Sequence, residues 1–309
     1  MKSVYYFHLA ALLAAAGAQV SRAGIIQDVR SAIADSNFEL GERRVREYLA
    51  KEGTKPEGLE ALSWLGRGAL AAKRYDEAER YASETRKLVL EALKKRPVDS
   101  DANTPIALGA SIEVHANVLN ARGQRSEAVA MLRRELQKYH GTSIRTRLQK
   151  NIHLLSLEGK PAPALEVAEW LNAKPAPIEK LKGHPVLLFF WAHWCGDCKA
   201  QAPLIARLME KYGPKGLVLV GPTQRYGYVA RGEDAPPEKE KPYIESVRRE
   251  RYGALAKMAV PVSEENFKSY GASSTPTLVL LDREGVVRMY HPGKMTYEEL
   301  EEQLEKVTR

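Results

Sequence analysis

The stretch "WAHWCGDCKAQAP", residues 191–203, holds both cysteines of the 309-residue chain, spaced as C-x-x-C. Electron transfer, metal binding and core packing compete as readings of such a pair, and its neighbours bear on the choice. Upstream, "PVLLFFWA" (185–192) is a short continuous apolar run, the pattern of a strand buried on both faces. Downstream, "CKAQAPLIARLMEKYG" (198–213) sets Leu204, Ala206, Leu208 and Met209 on one apolar side and ends at Gly213, which reads as a helix. The cysteines therefore stand at a strand-to-helix junction.

Working outward, "KGLVLVG" (215–221) reads as a second buried strand. A polar, turn-rich stretch then leads into a predicted helix, "PYIESVRRERYGALAKM" (242–258). Residues 222–258 form an insertion, open as a flap over the site or as a plain surface loop. Strand signals follow at "AVPVS", "TPTLVLLD" and "VVRMY", with a short helix at "EENFKSYG" and a last helix at "TYEELEEQLEKV", opened by a capping box from Thr296 to Glu299. The order is β-α-β-α-β-β-α, preceded by the alternating stretch "ALEVAEWL".

From about Ile25 to Leu157 the apolar period is near 3.6: Ile26, Val29 and Ile33; Leu59, Leu62, Leu65 and Ala69; Val114 and Val118; Met131, Leu132 and Leu136. Breaks at "DSNFELG", "KEGTKPEG", "AAKRYDEA", "KKRPVDSDANTP" and "ARGQRSEA" divide this half into helical hairpins. The twelve-residue step from Gly66 to Ala78 recurs from Ala116 to Ala128, and the segment resembles a degenerate tetratricopeptide (TPR) array. Ala78 and Ala128 lie 50 residues apart where that repeat uses 34, so an unrelated helical bundle stays open. Either would offer a protein-binding surface.

Composition bounds the rest. With 44% hydrophobic and 28% charged residues the chain reads as an ordinary folded protein long enough for two cores. The net charge of +8 is interleaved with acids, as in "RRERYGALAK", so a solvated mixed surface is expected and no nucleic-acid partner. At the N-terminus, Lys2, an apolar run from Val4 to Ala16, and Ala16 and Ala18 flanking Gly17 have the shape of a signal peptide with an A-x-A site. An uncleaved membrane anchor and a first helix of the folded domain are the alternatives.

Trp191, Ala192, Trp194, Cys195, Gly196, Cys198, Pro203, Thr275 and Pro276, with "LLDREG" after them, resemble the thioredoxin superfamily. "GKPAP", "LKGHPVLLFFWAHWC" and "YGASSTPTLVLLDREGVV" are more specifically similar to its extracytoplasmic TlpA/ResA-like branch, over about residues 159–309. The resulting expectation is an α + α/β protein: a signal peptide (1–23), an all-α helical-hairpin, TPR-like domain (24–158), and a thioredoxin fold with a central mixed β-sheet flanked by helices (159–309).

A thiol at a helix N-terminus feels unpaired N–H groups and the positive end of the dipole, which lowers its pKa to roughly 3.5–7.5. Cys195 is therefore expected to attack, and Cys198, one turn deeper, to resolve the mixed disulfide. The resemblance implies a cis Thr275–Pro276 bond against the cysteines, with the Thr275 backbone pairing an extended substrate. Trp194, Gly196, Asp197, Thr275 and Pro276 are the expected substrate contacts. Asp197 opposes a Cys195 thiolate, which predicts a moderate pair well below the potential of about −120 mV of the strongest periplasmic oxidants.

Two departures stand out. Relatives keep an acid six residues before the first cysteine or three after the second, and here those positions are Phe189 and Gln201. His193 or a water is then the candidate for proton transfer, against a plain exposed-loop reading of that histidine.

The rivals are weaker. Zinc takes four ligands, and the pair plus His193 supplies three at most. A peroxidase would carry a threonine or serine at 192 and a proline at 188, where Ala192 and Leu188 stand, and copper-delivery relatives use C-x-x-x-C. No metal and no cofactor is expected.

The predicted function is extracytoplasmic, periplasmic thiol-disulfide exchange with cysteine-containing exported proteins, apocytochromes being suggested by the resemblance alone, recharged by a membrane thiol-disulfide electron donor. The alternative is a protein-binding scaffold in which the thioredoxin fold is weakly active or inactive.

Overall fold

Alternation of side chains along a strand decides how the sheet is covered. The computed structural model describes residues 24–308; the predicted signal peptide lies outside them. In β2 (Val186–Phe190) every residue is buried. Leu187 and Phe189 face a core with helices α8 (Gly196–Tyr212), α9 (Pro237–Arg251) and α11 (Tyr297–Thr308). Val186, Leu188 and Phe190 face a second core that holds Phe267 and Tyr270 of α10 (Glu264–Tyr270). A strand covered on both faces must be apolar throughout, which is why "VLLFF" lacks alternation.

The four-stranded sheet has the order β3-β2-β5-β6, with β3 at Val218–Val220, β5 at Thr277–Leu281 and β6 at Val287–Pro292. β2 and β3 are parallel, and β5 is antiparallel to both β2 and β6, in the register Leu188 opposite Val279 opposite Tyr290. This is the expected thioredoxin fold. One strand departs from the sequence reading: "AVPVS" contributes only β4 (Val260–Pro261), paired with β1 (Trp170–Leu171) outside the main sheet. Pro261 has no N–H to donate, and the remaining contacts of this stretch are single ones, Val262 N donating to the Glu169 carbonyl (2.9 Å) and Ala259 bridging Val220 at the end of β3.

The capping box forms as read, with Thr296 N donating to Glu299 Oε2 (2.8 Å) and Glu299 N to Thr296 Oγ1 (3.2 Å).

Among the described residues the N-terminal half holds seven α-helices: α1 (Ile25–Ala34), α2 (Phe38–Glu52), α3 (Pro56–Ala71), α4 (Tyr75–Ala92), α5 (Asn103–Ala121), α6 (Arg125–Lys138) and α7 (Arg145–Ser156). Three of the hairpin turns are built alike. Ser36, Lys73 and Gly123 each have positive φ, and the next residue donates five positions back: Asn37 N to Ala32 O, Arg74 N to Ala69 O, Gln124 N to Leu119 O, all within 2.8–2.9 Å. This is the Schellman closure, which satisfies carbonyls left over at a helix end. At Gly66 the second hairpin packs closely, but a Cβ there would stand in ordinary van der Waals contact with Tyr81 Cβ (3.5 Å) and the Ala82 nitrogen (3.6 Å), so the approach does not itself require glycine.

Helix α7 joins the halves. His153 Nε2 donates to the Ser269 carbonyl (2.8 Å), Arg145 pairs with Glu265 (2.7 Å), and Gly271, at φ +63°, lies so close that an added Cβ would sit 2.3 Å from the Lys150 nitrogen. On its other side α7 is pinned to α5 by Glu113, which accepts from Arg147 (2.8 Å), Asn151 (3.1 Å) and Lys150 (3.3 Å). Burial opposes ionisation of Glu113, but the two cations hold its carboxyl at about 2.

Candidate active site

The rigid end of β2 delivers the cysteines. Trp191 is fully buried, donates from Nε1 to the Gly221 carbonyl (3.0 Å) and lies 4.5 Å from the Tyr252 ring, fixing the chain where it leaves the sheet. Cys195 is the N-cap of α8, with extended backbone (φ −72°, ψ 110°), and its Sγ accepts from Cys198 N at 3.0 Å. A sulfur in that position sits on the orphan amides of the helix start, the environment that favours a thiolate.

Cys195 and Cys198 are joined by a disulfide. Cys195 is 3% exposed and Cys198 is fully buried, so only the first residue of the pair reaches the surface. The Thr275–Pro276 bond is cis, and the Thr275 carbonyl oxygen lies 3.4 Å from Cys195 Sγ. Trp194 is 49% exposed beside the pair, its ring edge-on to Tyr226 at 5.5 Å. Asp197, in the first turn of α8 after Gly196, is paired with Lys294 at 3.0 Å. That cation, 97 residues away, offsets the charge the sequence reading sets against the thiolate.

The two positions where relatives keep an acid are occupied as the sequence indicates. Phe189 is buried 6.2 Å from the Tyr252 ring. Gln201 is buried in α8, its Oε1 accepting from Met295 N (2.8 Å) while its Nε2 has no partner.

His193 is buried, which overturns its reading as an exposed loop histidine. The rings of Tyr226, Tyr228 and Tyr243 stand edge-on around it at 5.3–5.5 Å, and Nε2 lies 3.6 Å from Glu240 Oε1 without a hydrogen-bond partner. Burial lowers the imidazole pKa; the Glu240 carboxylate opposes that, and Lys199 adds to it. Glu240 is itself buried and accepts from the amides of Tyr226 (2.5 Å) and Gly227 (2.9 Å).

The segment 222–258 is therefore more than a plain surface loop. It folds over His193 and carries α9 into the core. Sequence reasoning missed Glu240, Tyr226 and Gln224; the aromatic spacing "YGY" at 226–228 was the one local signal.

A family model described as a thioredoxin-like domain matches residues 178–308. Thiol-disulfide oxidoreductase ResA of Bacillus thuringiensis subsp. konkukian is 31% identical over 150 residues, covering 48% of this chain and 78% of ResA. The thioredoxin-like protein YneN of Bacillus subtilis is 28% identical over 149 residues, covering 48% of this chain and 79% of YneN. A crystal structure of a thiol-disulfide isomerase from Corynebacterium glutamicum aligns at a TM-score of 0.39 with 23% identity, over 48% of this chain and 96% of that one. Matched along more than three quarters of ResA, and carrying a C-x-x-C pair at the start of α8, this chain belongs to the ResA family of thiol-disulfide oxidoreductases.

Proposed function

We propose that the protein acts outside the cytoplasm, on cysteine-containing exported proteins, by exchanging the Cys195–Cys198 dithiol for a disulfide. The observation that carries this reading is the Cys195 sulfur on the α8 amides, 3.4 Å from the Thr275 carbonyl, with Cys198 sealed behind it.

In the reducing direction the Cys195 thiolate attacks one sulfur of a substrate disulfide. The substrate S–S bond breaks, a mixed disulfide forms, and the first substrate sulfur leaves as a thiolate that takes up a proton. Cys198, after losing its proton, attacks Cys195 Sγ; the Cys195–Cys198 bond forms and the second substrate thiolate departs. Two electrons pass to the substrate, and the protein is left in the disulfide form described above. A membrane thiol-disulfide donor would return it to the dithiol, and apocytochromes are the substrates suggested by the family.

Trp194, Gly196, Asp197, Thr275 and Pro276 surround the incoming sulfur in this reading. His193 is the proton-handling candidate, supported by its buried, unpartnered Nε2 and a pKa held below its ordinary value of 6.5. We read residues 1–23 as the export signal, 24–158 as a TPR-like module that recruits partners, and 159–309 as the exchanging domain. The three like-built hairpin turns support the repeat reading.

Reduction of insulin by the wild type and by Cys195→Ser tests the exchange. A loss of at least about a thousandfold in the variant is expected, since no other thiol remains once the pair is broken except the buried Cys198. Equal rates would favour the scaffold reading. Trapping with Cys198→Ala, which halts the reaction at the mixed disulfide, would identify the exported partners.

A further inference from the structure

Three polar atoms around one recess beside Trp194 are buried without a close hydrogen-bond partner: Gln224 Oε1, the Tyr226 hydroxyl, which the Gln224 side chain neighbours, and Thr275 Oγ1. Buried polar groups in folded proteins are nearly always satisfied, so a cluster of three marks a place where a partner arrives. All three residues line one recess of about 240 Å³, together with Trp194. The opposite wall comes from the helical half, from Ser143 and Thr146 at the start of α7.

The recess does not end at the seam. Ser143, Ser273 and Ser274 also line a larger trough of about 650 Å³ that runs along the helical half past Ala102. Ser273 and Ser274 directly precede Thr275, whose carbonyl touches Cys195 Sγ. A chain laid along this path would pass from the reacting sulfur onto helices that lie outside residues 178–308, the part matched by the thioredoxin-like family model.

The chemistry of the orphans selects the occupant. Gln224 Oε1 accepts only, whereas the two hydroxyls both donate and accept. An extended polypeptide presents N–H and C=O groups alternately, which matches such a set without demanding a particular side chain. The trough is lined mainly by apolar surface but carries charges of both signs, Asp99 and Asp101 against Arg147 and Lys150, a mixed lining that the backbone and varied side chains of a polypeptide can meet.

We propose that this recess seats the main chain flanking the substrate cysteine, and that Gln224, Tyr226 and Thr146 favour polypeptide disulfides over small ones, so that the helical half forms one wall of the substrate site. The proposal rests on Cys195–Cys198 being the exchanging pair.

The test compares two disulfides with the full-length reduced protein: insulin, a polypeptide, and hydroxyethyl disulfide, too small to fill the recess. Thr146→Trp blocks the recess from the helical side, and Gln224→Ala removes one acceptor while leaving space. The readout is the ratio of kcat/KM for insulin to the rate constant for the small disulfide, which a general loss of folding would leave unchanged. It is expected to fall at least about tenfold in Thr146→Trp and about two- to tenfold in Gln224→Ala, the range of one lost hydrogen bond. A ratio within about twofold of wild type in both variants, or a parallel fall of both reactions, overturns the proposal. A wild type that reduces neither disulfide overturns the exchange reading itself, and this one with it.

Discussion

Glu240 lies 3.6 Å from His193, two residues before the cysteine that caps α8, and neither side chain reaches solvent. A carboxylate placed so close to a buried imidazole favours the imidazole's protonated form, and the segment that supplies the acid is the one whose purpose was least legible in the sequence.

Replacing Glu240 by Gln leaves one acceptor oxygen for two backbone amides and removes the charge that holds a proton on His193. We expect a cost of about 1–3 kcal/mol from the amide left unpaired. The His193 pKa should drop further below its ordinary 6.5, because burial, its largest cause, then acts unopposed. Proton NMR of the imidazole across pH checks the second effect, and an unchanged or raised value contradicts it.

The wild-type protein should lose stability in mild acid for the same reason. His193 and His153 both have folded pKa values lowered by burial, so the unfolded chain binds protons more readily than the folded one. The stability they contribute is full above about 6.5 and is lost as pH falls through the lowered folded values. Melting temperature recorded from pH 7.5 to 5 should decline, with a shallower decline in His193→Gln.

Gly271→Ala should loosen the two halves. The new methyl meets the α7 backbone at 2.3 Å, and the left-handed φ of +63° strains any residue with a Cβ. About 2–4 kcal/mol is the expected cost of clash and strain together. Faster proteolytic cleavage near the seam than in wild type would bear this out; equal resistance would not.

Glu113→Gln removes the charge between Arg147 and Lys150, both largely buried at the contact of α5 with α7. Breaking such a cluster from one side typically costs about 3 kcal/mol or more. Denaturant unfolding at pH 7 reads it directly. In the wild type this contribution is present above the ordinary carboxyl value of 4.5 and disappears as pH falls through about 2.

Lys294→Glu turns the partner of Asp197 into a second anion near the start of α8. The thiolate of Cys195 then loses part of the helix field, and its apparent pKa should rise by about 0.3–0.7. Alkylation rate against pH measures it, and a fall would contradict the sign.

What the sequence by itself determined was local. The uniformly apolar "VLLFF", the helix periods, the Thr296 to Glu299 cap, the C-x-x-C at a helix start and the Thr-Pro ahead of a late strand each follow from residues within one or two turns of each other, where backbone geometry dictates spacing. Tertiary structure decided the rest: that His193 is buried against Glu240, 47 positions on, that Lys294 faces Asp197, and that Ser143 and Thr146 of the helical half stand across from Trp194. Whether a polar side chain is neutral, paired or waiting for a partner depends on what packs around it, and those neighbours are chosen by the fold rather than by the adjoining chain.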